Sequence, residues 1–201
     1  MKPVIFGLSG PTLTPEERAF FAEARPAGYI LFKRNCVDRQ QLRALTDSLR
    51  DLEGRSDVAI LIDQEGGRVA RMAPPEWPAF PAGPDFDRLY EIAPMSAIEA
   101  ARANAVALGM MLAEVGITVD CHPILDVIHP DTTDAITIRA FGSEPMRVGA
   151  MGRATLEGLA VAGIVGVVKH MPGHGRALVD SHYLLPTVTA SAAELERDLA
   201  P

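Results

Sequence analysis

The sequence predicts an α/β fold in which short strands alternate with longer helices. Five short runs rich in Val, Ile and Leu are spaced along the chain, as in a parallel sheet covered on both faces. Amphipathic segments with helix-start signals separate these runs. Irregular polar stretches follow the predicted strands, and α/β barrels gather their catalytic residues at that end of their strands. Five strand–helix units fit either a doubly wound sheet or five-eighths of a barrel.

Helix-start residues justify the helices in turn. Thr14 precedes Pro15 and two glutamates, which places a capping hydroxyl before a proline and an acidic first turn. Asp38 is a similar cap, and Ser191 begins another capped helix near the end of the chain. The predicted helices start after Thr14, cover about 38–53, 96–115 and 143–162, and start again at 191. The predicted strands are 3–8, 29–32, 58–63, 117–126 and 163–169, with irregular stretches at 64–90, 127–143 and 170–190.

Composition restricts the classes of function. The chain has 201 residues, of which 48% are hydrophobic, enough to bury the core of one domain. Its net charge of −7, with no Lys/Arg-rich run, argues against a nucleic-acid or membrane partner. We expect neither a membrane-spanning helix nor a signal peptide. Cys36 and Cys121 form no metal-like pair and no disulfide framework, which indicates the cytoplasm.

The string Asp63-Gln-Glu-Gly-Gly-Arg-Val-Ala-Arg71 closes the third predicted strand. A carboxylate at a strand tip can accept hydrogen bonds from vicinal hydroxyls, and Arg68 and Arg71 add donors. Gly66 and Gly67 let the backbone turn sharply or approach a ligand. A tight turn with a solvated salt bridge is the alternative. The glycines match neither a Walker loop nor a dinucleotide fingerprint, so we do not expect a phosphate site.

Two strings lie in and after the fourth predicted strand. His122-Pro-Ile-Leu-Asp126 ends the strand, and its apolar spacing predicts that Asp126 belongs to a structural hydrogen-bond network below a pocket. Arg139 follows in an Arg-Ala-Phe-Gly string. A solvated arginine is the usual case in a loop, but a guanidinium fork would suit a substrate oxygen or carboxylate.

The last string holds three of the five histidines of the chain within 169–182. Lys169 and His170 stand at the tip of the fifth predicted strand. His170 and His174 have a spacing that binds zinc on a helix, but a proline and a glycine lie between them, so we expect no metal. The absence of a nucleophile-elbow pattern argues against Ser181 as an acyl-transfer nucleophile.

Asp180-Ser-His182 is the part of this string that indicates chemistry. A carboxylate two residues from an imidazole can orient the ring and stabilise its protonated form. Histidine also titrates near neutral pH, with an ordinary pKa of about 6.5. The string therefore predicts a proton-transfer pair.

Together these strings resemble the bacterial β-N-acetylglucosaminidases (β-hexosaminidases) of glycoside hydrolase family three. The resemblance runs along essentially the whole chain and rests on strings in the expected order. The pair KHMPGHG and DSH at this spacing is highly specific. The other strings are GYILFKRN from Gly28, DQEGGRVAR, HPILDV and RAFG.

The resemblance implies a (β/α)8 TIM barrel that hydrolyses terminal β-linked N-acetylglucosamine with retention of configuration. It implies a carbohydrate substrate from peptidoglycan recycling in the cytoplasm, and no cofactor. It implies that His182 is the acid/base and that Asp180 is its partner. The substrate-binding positions of the family match Asp63, Arg71, Arg139, Lys169 and His170.

The nucleophile of the family is an aspartate in a Ser-Asp-Asp-like string far downstream, which this sequence does not contain. We therefore expect residues 1–201 to form one partial barrel domain, truncated after about five βα units and inactive by itself. Its open sheet edges would favour self-association. The alternatives are another family-three glycosidase, a phosphorolytic enzyme, an inactive sugar-binding module and, more distantly, a metal-dependent hydrolase.

Overall fold

The computed structural model describes residues 1–201 and contains a five-stranded parallel sheet with a small separate hairpin. The sheet order is β1-β2-β3-β6-β7, and each strand pairs in parallel with the next. A doubly wound sheet reverses its strand order at a switch point. This sheet has no reversal, so its topology is that of a barrel arc. The strands are β1 (Lys2–Gly7), β2 (Pro26–Leu31), β3 (Ala59–Ile62), β4 (Gln64–Gly66), β5 (Val69–Ala70), β6 (Val119–Asp120) and β7 (Val165–Gly166).

Helices follow the strands and cover the apolar side of the sheet. The main core includes fully buried side chains of β2 and β3, such as Leu31 and Ile60, and of the long helix α4, such as Leu108. None of the helices is long and apolar enough to cross a lipid bilayer. The helices are α1 (Pro15–Ala24), α2 (Arg39–Glu53), α3 (Gly83–Ile92), α4 (Pro94–Glu114), α5 (Asp134–Thr137), α6 (Pro145–Val161) and α7 (Ala192–Asp198).

The predicted caps of α1, α2 and α7 are confirmed. The Glu17 amide donates to Thr14 Oγ1 at 3.1 Å, and the Thr14 amide donates to Glu17 Oε2 at 3.0 Å, which completes a capping box. Asp38 Oδ1 accepts from the Gln41 amide at 2.8 Å. Ser191 forms a capping box at the start of α7. Short-range signals were therefore sufficient to place these helix starts.

Several predicted boundaries agree with the structure to within two residues, such as those of β3 and α6, but others were wrong. The fourth predicted strand is reduced to Val119–Asp120, because Pro123 has no N–H for the ladder, and pairing resumes only at an isolated bridge from Ile124 to Lys169. Helix α5 lies inside a stretch predicted to be irregular, and most of α3 does so too. Pro84 occupies the first turn of α3, where its missing N–H costs nothing.

Gly66 and Gly67 form the turn of the β4–β5 hairpin. Their φ angles are +94° and +54°, in the region that favours glycine. A Cβ on Gly66 would also collide with the carbonyl oxygen of Pro81. The hairpin thus returns the chain across the end of β3 and leaves Asp63 and Arg71 on opposite sides of the turn.

Candidate active site

Five charged side chains meet at the carboxyl ends of the strands: Asp63, Glu65, Arg71, Arg139 and Lys169, here called the charged cluster. Lys169 Nζ lies 2.9 Å from Asp63 Oδ1 and 2.6 Å from Glu65 Oε1. Arg139 donates two bonds to Glu65, from Nε at 2.8 Å and from Nη2 at 2.6 Å. Arg71 Nη2 donates to Asp63 Oδ2 at 3.3 Å. Four residues expected to bind substrate are thus in one network.

Glu65 is the member of the charged cluster that was not predicted. Its side chain is 4% exposed, and it accepts bonds from both Arg139 and Lys169. The sequence did contain a signal for it. Residues two apart in an extended chain point to the same face, so Asp63 and Glu65 share a face while Gln64 points away. The Gln64 side chain instead accepts from the amides of Arg71 and Met72 and holds the hairpin.

Glu65 and Lys169 keep their charges at neutral pH although both are largely buried. Burial raises the pKa of Glu65, but the hydrogen bond from Arg139 and the charge of Lys169 outweigh it, so the net shift is downward. Burial lowers the pKa of Lys169, but the charges of Glu65 and Asp63 outweigh it, so the net shift is upward. The cluster is therefore a preformed set of oriented charges.

His170 is fixed from below by Asp126, which is fully buried. His170 Nδ1 lies 2.6 Å from Asp126 Oδ2, and Asp126 Oδ1 accepts from the His174 amide at 2.6 Å. Burial raises the pKa of Asp126, but the bonds from the His170 ring and from two backbone amides outweigh burial. The net shift is downward, so the carboxylate stays ionised. The predicted structural network around Asp126 is thus present.

Asp180 and His182 form the expected pair in the stretch 170–190, here called the histidine loop. His182 Nδ1 lies 2.6 Å from Asp180 Oδ1, and the same oxygen accepts from the His182 amide at 2.9 Å. The two hydrogen bonds to His182 lower the pKa of Asp180. The His182 side chain is 77% exposed, so its ring is open to a ligand.

A cleft of about 450 Å³ joins the charged cluster to the histidine loop. A second cavity of about 430 Å³ shares part of its wall, including Arg68, Arg139 and His182, and is also lined by Asp180. The structure therefore brings six of the seven predicted site residues to one cleft, and the seventh, Asp180, lines the adjoining cavity. The cleft is lined by Asp63, Arg68, Val69, Arg71, Cys121, Arg139, Val167, Lys169, His170 and His182.

Two titratable residues in or beside the cleft, Cys121 and His122, are unsuited to proton transfer at neutral pH. Burial raises the pKa of the Cys121 thiol to about 11, so it remains protonated. Burial lowers the pKa of His122 to about 4, so it remains neutral. No group of three or more His, Cys, Asp or Glu side chains is arranged to hold a metal ion. Of the two histidine rings that line the cleft, His182 is the more exposed.

Comparison with known proteins identifies the family. Residues 8–201 match the model of the glycosyl hydrolase family 3 N-terminal domain. The chain is 33% identical over 196 residues to a β-hexosaminidase of Bordetella avium, covering 98% of this chain and 55% of that protein. It is 37% identical over 198 residues to a β-hexosaminidase of Methylococcus capsulatus, covering 98% of this chain and 57% of that protein.

Solved structures agree in fold. NagZ from Neisseria gonorrhoeae superimposes with a TM-score of 0.92 at 33% identity, covering 98% of this chain and 57% of that chain. The same protein has been solved in complex with N-trifluoroacetyl-D-glucosamine, again with a TM-score of 0.92. The chain spans a little over half the length of the relatives it matches. Sequence match and fold together show that this chain belongs to glycosyl hydrolase family 3 and corresponds to the family's N-terminal domain.

Proposed function

We propose that the protein is a β-N-acetylglucosaminidase that hydrolyses terminal β-linked N-acetylglucosamine with retention. The observation that carries the proposal is the cleft where the charged cluster faces an exposed histidine paired with a carboxylate. Membership in a family whose relatives are named β-hexosaminidases supports the same activity. So does the sugar analogue bound by the Neisseria gonorrhoeae protein.

His182 acts as the acid/base in this proposal. Retaining hydrolysis needs a group that first protonates the leaving oxygen and then deprotonates the attacking water. A solvent-accessible imidazole can do both, and such catalysis typically contributes ~10²–10⁴ in rate. Asp180 accepts from Nδ1 at 2.6 Å, which leaves Nε2 to exchange protons with the substrate and stabilises the protonated ring.

The charged cluster and His170 bind the sugar. Asp63 is 21% exposed at the cleft and accepts hydrogen bonds from sugar hydroxyls, while Lys169 and Arg71 donate to sugar oxygens. Arg139 lines both cavities and is held in place by its two bonds to Glu65. The His170 ring lines the cleft and is held in place by its hydrogen bond to the buried Asp126. Oriented charges of this kind favour a polar ligand over an apolar one.

The natural substrate is an N-acetylglucosaminyl muropeptide or a similar cell-wall fragment, and the protein works in cytoplasmic peptidoglycan recycling. Free thiols at Cys36 and Cys121 support a reducing compartment. Residues 1–201 form one partial barrel domain. Residues 1–201 contain no Ser-Asp-Asp-like string that could supply the nucleophile which the resemblance implies, so we expect the purified chain to bind the sugar without turning it over.

The sugar preference of the cleft tests this assignment against its alternatives. In NMR titrations observed at the His182 ring, N-acetylglucosamine should bind, and glucose and inorganic phosphate should not. Glucose binding of equal strength would favour another glycosidase of the family, and phosphate binding in the cleft would favour phosphorolysis. A parallel assay with an aryl N-acetyl-β-glucosaminide should show no release. Release by the purified chain would contradict the missing nucleophile.

A further inference from the structure

His174 takes no part in the proposed chemistry, yet it touches both the buried base of the site and the tip of the histidine loop. Its backbone amide donates to Asp126 Oδ1 at 2.6 Å. Its ring Nε2 lies 3.0 Å from Ser181 Oγ. Ser181 stands between Asp180 and His182 in the chain. One residue therefore spans the distance from the barrel interior to the proton-transfer pair.

The base of this connection is rigid. Asp126 is fully buried and is also bonded to His170 Nδ1 at 2.6 Å. The rings of His170 and His174 pack edge to face, with centroids 5.8 Å apart. The Nδ1 atom of His174 is buried without a hydrogen-bond partner, so the bond to Ser181 is the one polar contact of its ring. The ring is held by packing and is aimed at the serine.

The tip of the loop has little else to hold it. Across residues 178–190, the hydrogen bond from Ser181 to His174 is the only one that reaches outside the segment. The remaining bonds are local, such as those from the Tyr183 and Leu184 amides to the Asp180 carbonyl. Tyr183 and Leu185 are 85% and 93% exposed. The placement of the pair over the cleft thus depends on a single long-range hydrogen bond.

We propose that His174 is a positioning residue whose hydrogen bond to Ser181 ties the Asp180–His182 pair to the buried Asp126 and holds it over the cleft. The role of this pair in proton transfer rests on the proposed function, whereas the connection itself does not. The alternative use of a Ser–His contact is nucleophilic catalysis. That use needs an acid on the other ring nitrogen, and Nδ1 of His174 has no partner.

Hydrogen exchange of the loop amides in the unliganded chain tests the connection. Replacing His174→Leu keeps apolar packing but removes the bond, and Ser181→Ala removes it from the other side. Each should speed exchange in peptides covering 178–185 by about fivefold, the effect expected of one lost hydrogen bond. Sheet peptides should not change. The double variant should be no faster than either single variant, because both remove the same contact.

A glutamine at position 174 distinguishes loss of the hydrogen bond from loss of ring packing. In His174→Gln the amide group can occupy the position of the ring Nε2, so exchange should return close to wild type. Thr187→Ala, an exposed side chain of the same loop, is the matched control and should have no effect. Unchanged exchange in Ser181→Ala, or a Gln variant as fast as the Leu variant, would overturn the proposal. If His174→Leu disturbs the whole fold, Ser181→Ala still tests the proposal, because the Ser181 side chain is exposed and its removal leaves the core unchanged.

The NMR signal of the His182 ring tests whether the His174–Ser181 hydrogen bond affects the cleft. On addition of N-acetylglucosamine, the His182 ring signal should shift in the wild type and in His174→Gln but much less in His174→Leu. An equal shift in all three would show that the pair reaches the cleft without His174, and would also overturn the proposal. If the wild type shows no shift while loop exchange still depends on His174, the proposed function fails and the connection stands.

Discussion

Two carboxylates of the charged cluster stand two residues apart and have different tasks because their environments differ. Glu65 is 4% exposed and accepts three bonds from two cations, so its acceptor capacity is used inside the protein. Asp63 is 21% exposed at the cleft and retains room to meet a ligand. Glu65 therefore orients the cations, and in the proposed function Asp63 and those cations bind the sugar. Asp63 was among the predicted site residues, and the more deeply buried Glu65 was not.

Replacing Glu65→Gln should lower the free energy of unfolding by about 3–5 kcal/mol, because it leaves the buried charges of Lys169 and Arg139 without their anion. Glu76→Gln is the matched control. Glu76 pairs with Arg39 while 38% exposed, and surface pairs contribute about 1 kcal/mol or less. Urea unfolding measures both variants. An equal decrease in the free energy of unfolding of the two variants would contradict a larger contribution from the buried Glu65 ion pairs.

His122 should make stability depend on pH. Burial lowers its pKa to about 4 in the folded protein, whereas the unfolded chain has the ordinary value of about 6.5. Between these values the unfolded chain binds a proton that the folded protein does not. The free energy of unfolding should therefore fall as pH drops from 6.5 to 4, by about 3 kcal/mol from this residue.

The matched comparison for His122 is His122→Gln, because the wild-type curve also contains Asp120. Burial raises the pKa of Asp120, so its contribution has the opposite slope and is lost as pH rises. Subtracting the curve of the variant from that of the wild type removes this contribution. Urea unfolding at several pH values should give a difference that changes between pH 6.5 and 4. Parallel curves would contradict a neutral buried His122.

At the scale of elements, local chemistry was predictable and long-range pairing was not. The caps at Thr14 and Asp38 lie within four residues of the helices they start, so the sequence shows them directly. The shortening of the fourth strand and the presence of α3 depend on prolines, whose effect is ambiguous without tertiary context. The contact of Asp126 with His170 joins residues 44 apart, which no local pattern determines.

Strand β2 passes very close to β3 at Gly28, which pairs with Ala59. A Cβ on Gly28 would collide with the carbonyl oxygen of Ala59, and backbone atoms of a paired strand cannot easily move aside. Gly28→Ala should therefore lower the thermal unfolding midpoint by several degrees or more. Gly10→Ala is the control, since a Cβ there meets no atom within 4 Å. Equal midpoints for the two variants would argue against this close approach.

The whole molecule is an arc of parallel strands whose two edges, β1 and β7, face no partner strand. Its monotone strand order distinguishes the barrel arc from a doubly wound sheet, a choice that the strand–helix pattern left open. The β7 edge is apolar: Val165 in the strand is 63% exposed. Such an edge is a template for pairing with another chain.

We therefore expect concentration-dependent self-association of the purified chain. Val165→Lys should reduce it, because a lysine on an edge strand opposes pairing. Val161→Lys is the matched control: Val161 is 74% exposed at the end of α6, away from the strand edge. Light scattering over a concentration series measures the effect. A wild-type chain that stays monomeric and folded at every concentration would refute this expectation.

Calorimetric titration with N-acetylglucosamine tests the central claim, that the charged cluster forms a sugar site, most directly. The wild type should bind with a dissociation constant on the order of millimolar, corresponding to roughly −4 kcal/mol. Asp63→Asn should weaken binding by about tenfold or more, since it removes a charged acceptor at the cleft. Asp57→Asn, an 81% exposed residue outside the cleft, should bind like wild type. Absence of binding by the folded wild type, or equal affinity in Asp63→Asn, would contradict the account.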